Sequence, residues 1–207
     1  MNVYKTVASS VCAELVEKRS RFLGYICPVT TEQQALAFLS EKRKLHWDAT
    51  HNVYAYIIRD TGTVRYSDDG EPQGTAGMPV LDVLQKRGLC DLVVVVTRYF
   101  GGVLLGAGGL VRAYSAAASR AVELSGEREM TMCSVCEVRL SYTLYGRVPA
   151  LIASLGGVVD DAVFADDVGL TFHLPEEMLA PFCKELSELS NGKCQPKELR
   201  KEFFCLK

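Results

Sequence analysis

What this chain lacks narrows its class before any motif is read. It has no charge surplus: 23 Lys and Arg against 25 Asp and Glu leave a net charge of −2. The chain-wide basic field that would hold a protein on duplex nucleic acid is therefore missing, and any polyanion contact has to come from a local patch. No apolar run approaches the roughly 20 residues that span a bilayer; the valine-rich run Leu92 to Val96 is five residues long. The amino terminus carries Glu14 and Glu17 among its apolar residues instead of the basic, apolar, small-residue order of a secretory signal. No membrane association is expected, and the expected compartment is the cytoplasm. Histidine is scarce (His46, His51 and His173), and no Gly-x-Ser-x-Gly elbow occurs. Eight cysteines lie scattered through apolar segments, where in a reducing compartment they read as small buried hydrophobes. Cys133 and Cys136 form a C-x2-C with no second pair and no His-x3-5-His nearby, so zinc lacks two ligands. In a strand these two thiols also point to opposite faces. Neither a metal nor a cofactor is expected.

What is present suits ordinary globular domains: 207 residues, 48% hydrophobic and 23% charged. A chain of this length buries a core without staples. Its periodicity changes near Ser125 to Thr131, which divides residues 1–127 from 128–207. The first part holds strands over 11–17 and 22–28, then a helix with Thr30 or Thr31 as N-cap and Gln33 or Gln34 completing a capping box. Ala35, Leu36, Leu39 and Trp47 are expected on its buried side. A strand over 53–58, a turn at Asp60-Thr61-Gly62 and a strand over 63–66 form a hairpin. A polar, glycine-rich stretch then precedes a helix through Leu81 and Leu84. Residues 92–97 read as a strand buried on both faces, because four consecutive valines leave no polar side.

A strong helix follows, opening in glycines. Leu110, Tyr114, Ala117, Ala118, Ala121 and Val122 fall on one side of it, Arg112, Ser115, Ser119 and Glu123 on another. The second part reads strand 133–142, helix 144–155, strand 158–165, strand 169–174, helix 179–190 and strand 198–206. That βαββαβ order is the ferredoxin-like arrangement, with Pro181 restricted to the first turn of its helix. The fold class is α+β in two domains, and the near-neutral total hides a split. Residues 1–127 carry 14 basic and 13 acidic side chains, residues 128–207 carry 9 and 12.

Two stretches are candidates for chemistry. In the first, Asp68, Asp69 and Glu71 place three carboxylates within four residues, near His51 and Arg65, enough to hold a divalent cation or to act as an acid/base pair. An acidic turn chosen for its backbone geometry gives the same letters. In the second, Gly101 and Gly106 have P-loop spacing, but Ala107 and Gly108 stand where Lys and Ser/Thr belong. A dinucleotide fingerprint fails too, since Val111 occupies its third small position. What survives is a helix amino terminus with Arg98 and Arg112 close by, suited to an anion such as a phosphate. The competing reading is tight packing of the glycine turn on the valine strand.

Four blocks, Lys18-Arg19-Ser20-Arg21-Phe22, His51 to Tyr56, Tyr66 to Gly77 and Val96 to Tyr114, together resemble the IMPACT (YigZ) family in the right order. The resemblance implies a first domain similar to ribosomal protein S5 domain 2, also seen in domain IV of elongation factor G. It implies for the tail a small ferredoxin-like domain similar to domain V of that factor, as in bacterial members. Eukaryotic members carry an additional RWD domain and regulate translation by competing for an activator of an eIF2α kinase. This chain starts directly at the family domain, so that contact is not carried over. For bacterial members the resemblance implies a protein that binds nucleic acid or the ribosome, and no catalytic mechanism.

The expected function is non-enzymatic: binding to RNA, the ribosome or translation factors, as a regulator of translation. Phosphate contacts fall to Lys18, Arg21, Arg65, Arg98 and Arg112, with Tyr99 or Tyr66 stacking on an unpaired base. Gly101, Gly102 and Gly108 supply the turn and the exposed backbone. The alternative is a metal-dependent hydrolase or phosphotransfer enzyme holding Mg²⁺ on Asp68, Asp69 and Glu71, with His51 as acid/base. A protein partner is a further expectation, met through the carboxyl-terminal domain.

Overall fold

The computed structural model describes residues 2–206. The chain divides into two compact units, Tyr4–Arg128 and Glu129 onward, the latter joined by Val3. Up to residue 125 the elements are β1 (Val3–Val7), β2 (Val11–Glu17), β3 (Ser20–Pro28), α1 (Glu32–Leu45), β4 (His51–Ile58), β5 (Thr63–Ser67), α2 (Gly77–Lys86), β6 (Leu92–Tyr99) and α3 (Ala107–Ser125). Strand β1 has no counterpart in the sequence reading. The first unit's sheet runs β2-β3-β6-β4-β5 and is antiparallel at every pairing.

The valine run explains this architecture. Side chains alternate along a strand, so Leu92, Val94 and Val96 enter a core with Phe22, Ile26, Leu84, Tyr114, Ala117 and Val122. Val93 and Val95 enter another with Ala35, Leu39, Tyr56 and Ile58. Helices α2 and α3 cover one face of the sheet and α1 the other. Each fully buried valine contributes about 1.5–3 kcal/mol relative to exposure. Helix α3 lies close because half of its buried residues are alanine, and because Gly24 of β3 has no Cβ, which would stand 2.7 Å from the Ala117 carbonyl oxygen.

Helix α1 begins with Thr31 as N-cap and Gln34 closing the capping box. Two expected core residues are misplaced. Trp47 is 83% exposed and Leu36 46% exposed. The helix ends at Leu45, so Trp47 cannot continue its apolar stripe. Leu36 sits about 100° around the axis from Ala35, beyond the narrow face that meets the sheet.

The second unit is built from β7 (Glu127–Leu140), α4 (Tyr142–Tyr145), α5 (Val148–Ser154), β8 (Val158–Phe164), β9 (Val168–Pro175), α6 (Leu179–Ser190) and β10 (Lys197–Phe204). Its strands lie in the order β10-β7-β9-β8, all antiparallel, the ferredoxin-like topology read from sequence. Pro181 falls in the first turn of α6. The single helix expected over 144–155 is two, because Pro149 sits at the start of α5 and cannot donate to a preceding turn. Cys136 joins the core with Val138, Phe172 and Phe182, while Cys133 is buried outside that cluster, as the alternation requires.

Candidate functional site

The site is assembled by strand register. His51 on β4 and Phe22 on β3 are both cross-strand partners of Arg98 on β6. Such partners share a face, so all three point toward α3. Above them the loop that follows β5 is held by its own carboxylates. Asp68 accepts backbone N–H bonds from Gly74 (2.9 Å), Ala76 (3.0 Å) and Gly77 (2.8 Å). Asp69 accepts from the Asn52 backbone and from Arg43, both at 2.7 Å. The loop so fixed turns Glu71 inward, to 8% exposure.

Glu71 Oε1 accepts from Arg98 Nη1 at 2.6 Å and from the Tyr114 hydroxyl at 2.8 Å. Burial, and then the charge on Glu71, push the Tyr114 phenol far above its ordinary pKa. Arg98 is 5% exposed. Its guanidinium lies between the rings of Phe22 and Phe100, 5.4 and 5.5 Å from their centroids. Its Nη2 donates to Ser20 Oγ at 3.4 Å, and its Nε is buried with no hydrogen-bond partner among the described residues. Arg98 thus neutralises Glu71 instead of standing in solvent as a phosphate contact. The three carboxylates of the loop have separate partners, and among the described residues no group of three or more His, Cys, Asp and Glu side chains is placed to hold a metal.

His51 Nδ1 is 2.7 Å from the Asp69 carbonyl oxygen. A carbonyl only accepts, so Nδ1 carries the hydrogen. The other nitrogen, Nε2, faces Glu71 Oε2 at 3.8 Å. Over this pair lies a cleft of about 410 Å³, walled by Pro72, Phe100, Leu104, Leu105 and Leu110 and lined also by Gly106 and Ala107. These last two open α3, which has no side-chain cap. Its first-turn N–H groups therefore lack partners within the helix and carry partial positive charge. Leu105 also lines a neighbouring hollow of about 210 Å³, where Lys18 and Arg112 stand with Glu17. Neither basic side chain has a partner among the described residues.

Lys18 is placed by an unusual hairpin turn. It and Arg19 both have positive φ, 43° and 67°, the geometry of a two-residue primed turn normally made by Asn and Gly. Gly101 braces that turn: its N–H donates to Ser20 Oγ at 3.2 Å, and a Cβ there would fall 2.0 Å from the Arg19 carbonyl carbon. Gly102 has φ +81°, and Gly108 lies in the first turn of α3 beside Arg112. The fold brings Lys18, His51, Glu71, Arg98, Gly108 and Arg112 to the α3 side of the sheet. It does not bring Arg21, Arg65 or Tyr99 there. Arg21 pairs in register with Tyr99 and Arg65 with Tyr56, on the α1 side. The Arg21 guanidinium is held by Glu14 at 2.7 and 3.1 Å, and the Tyr99 hydroxyl donates to Asp48 at 3.1 Å.

Four wall residues, Pro72, Phe100, Leu104 and Leu105, and the Tyr114 hydroxyl escaped the sequence reading as site members. The available signal was a run of large apolar residues inside a glycine loop that belongs to no helix or strand pattern.

The Impact N-terminal domain model matches residues 18–122, which include every residue of the cleft, and the model of a domain of unknown function (DUF1949) matches residues 138–193. The chain belongs to the IMPACT family. IMPACT family member YvyE of Bacillus subtilis is 37% identical over 199 residues, covering 96% of this chain and 92% of its own length. IMPACT family member YigZ of Escherichia coli is 33% identical over 181 residues, 86% of this chain and 89% of its own. Protein IMPACT of Bos taurus is 38% identical over 99 residues, 44% of this chain and 30% of its own. A crystal structure described as that of a hypothetical protein, 31% identical, aligns with a TM-score of 0.62 over 98% of this IMPACT chain and 100% of its own. Among the described residues no helix is long and apolar enough to cross a membrane.

Proposed function

We propose that this IMPACT family member binds single-stranded RNA of the translation machinery through its first unit, as a non-enzymatic regulator of translation. The observation that carries this reading is the hollow beside the cleft, where Lys18 and Arg112, far apart in sequence, present two unpaired cations next to the unpaired N–H groups of α3. Phosphates take the cations and the helix end, and a base takes the apolar wall at Phe100, which is 46% exposed. A patch of this size fits a protein whose net charge is only −2.

Filter binding of a single-stranded RNA across a salt series tests the reading. Lys18→Glu with Arg112→Glu is expected to weaken binding at least tenfold at low salt. It also reduces the slope of log K against log salt by about 1.4, or about 0.7 for each of two lost phosphate contacts. A double variant that binds as tightly as the parent overturns the reading, as does a parent that binds no RNA.

A further inference from the structure

Resting on that RNA-binding reading, we propose that the cleft seats one ribonucleotide and that His51 and Glu71 together recognise its ribose 2′-hydroxyl, so that the protein selects RNA over DNA.

Two acceptors face each other in this cleft. With its hydrogen committed at Nδ1 to the Asp69 carbonyl, a neutral His51 turns a lone pair at Nε2 toward Glu71 Oε2, 3.8 Å away. Oε1 of Glu71 is already taken by Arg98 and Tyr114, whereas Oε2 accepts no hydrogen bond from the described residues. The separation is too long for a direct hydrogen bond. An oxygen off the line between them, about 2.8 Å from each, reaches both.

The group that enters must donate. A phosphate or carbonyl oxygen only accepts and is repelled by the Glu71 carboxylate. A hydroxyl has one hydrogen to give: it donates that hydrogen to Oε2, and its oxygen accepts from Nε2 only when that nitrogen carries a hydrogen.

The remainder of the cleft indicates which hydroxyl. Its volume of about 410 Å³ lies near the lower end of the ~300–1,000 Å³ of small-ligand sites, room for a single nucleotide. Phe100 and the 83%-exposed Leu104 offer an apolar wall for a base. Gly106 and Ala107 offer N–H groups for a phosphate, next to Leu105, which lines both this cleft and the hollow of Lys18 and Arg112. In a nucleotide the ribose links base to phosphate, so with the base on that wall and the phosphate on those N–H groups a ribose hydroxyl is the group left for the floor. The 2′-hydroxyl, both donor and acceptor, is also the group by which a protein distinguishes RNA from DNA.

Fluorescence anisotropy on the full chain with three labelled single strands of one sequence, RNA, DNA and 2′-O-methyl RNA, tests the assignment. RNA is expected to bind at least tenfold tighter than DNA, with 2′-O-methyl RNA close to DNA. His51→Ala brings RNA down to the DNA level while DNA affinity changes less than twofold, and Phe100→Ala weakens both strands alike. Equal binding of RNA and DNA by the parent overturns the hydroxyl assignment and leaves the RNA-binding reading standing. No binding of either strand overturns that reading itself. A preference for RNA that survives His51→Ala in a folded variant removes His51 from the assignment. The 2′-O-methyl arm, which needs no variant, decides the matter should His51→Ala fail to fold.

Discussion

Glu71 and Arg98, 2.6 Å apart at Oε1 and Nη1 and both less than one-tenth exposed, form the buried ion pair on which the cleft floor is built. Removing one partner strands the other charge away from water, a loss of about 3–5 kcal/mol, whereas apolar replacement of both is far milder. Glu71→Ala and Arg98→Ala are therefore expected to lower the urea unfolding free energy by that amount each. Glu71→Leu combined with Arg98→Met should lie much nearer the parent. Single variants within about 1 kcal/mol of the parent in urea melts would contradict the pairing.

Gly101 and Gly102 are adjacent and are predicted to respond differently. A Cβ on Gly101 meets the Arg19 backbone at 2.0 Å, so Gly101→Ala has to move the hairpin turn that carries Lys18. The expected cost is about 1–3 kcal/mol or more, together with weaker RNA binding. Gly102 has open space around it and only its φ of +81° to defend. Gly102→Ala is expected to cost about 1 kcal/mol. Parallel urea melts check the order.

Alkaline pH is predicted to destabilise the second unit through its buried thiols. Burial pushes Cys133 and Cys136 up to about 11, from an ordinary value of 9.0. Below pH 9 both the folded and unfolded chains keep these protons. As pH rises from 9 toward 11 the unfolded chain loses them first, so it binds fewer protons than the native state and stability falls. The urea midpoint should decline across that window, and less steeply in Cys133→Ala. An identical slope in the variant would exclude the thiol as a source.

Trp47, 83% exposed beyond the end of α1, should fluoresce like indole in water and be quenched readily by acrylamide. Trp47→Ala is expected to change stability by no more than about 0.5 kcal/mol. A blue-shifted, protected emission would place it in the core that its hydrophobicity suggested.

How far the sequence carries depends on the range of the interaction. The capping box at Thr31 and Gln34, the inward stripe of α3 and the βαββαβ order of the second unit were legible, because each is a local pattern whose meaning depends on neighbours a few residues away. The valine run announced a strand buried on both sides, and the structure has two cores meeting there. Trp47 and Leu36 were misplaced because hydrophobicity states a preference for burial and not whether a helix extends far enough to satisfy it.

For the site, sequence alone singled out segments that the fold gathers around one cleft: the 68–77 loop, the glycine stretch after β6, and His51. It did not tell which charges are spent on one another. Asp68, Asp69 and Glu71 look alike in a row, yet one organises its own loop, one anchors it to β4 and α1, and one is buried under Arg98. That division, the separation of Arg98 from Tyr99 onto opposite faces, and the 3.8 Å gap between His51 and Glu71 come from strand register. The amino-acid sequence by itself determined most of the elements, their order in the chain and the family, since these follow from local periodicity and short motifs. Only the tertiary structure decided which polar groups meet, because a hydrogen bond depends on angstroms between residues that the chain holds far apart.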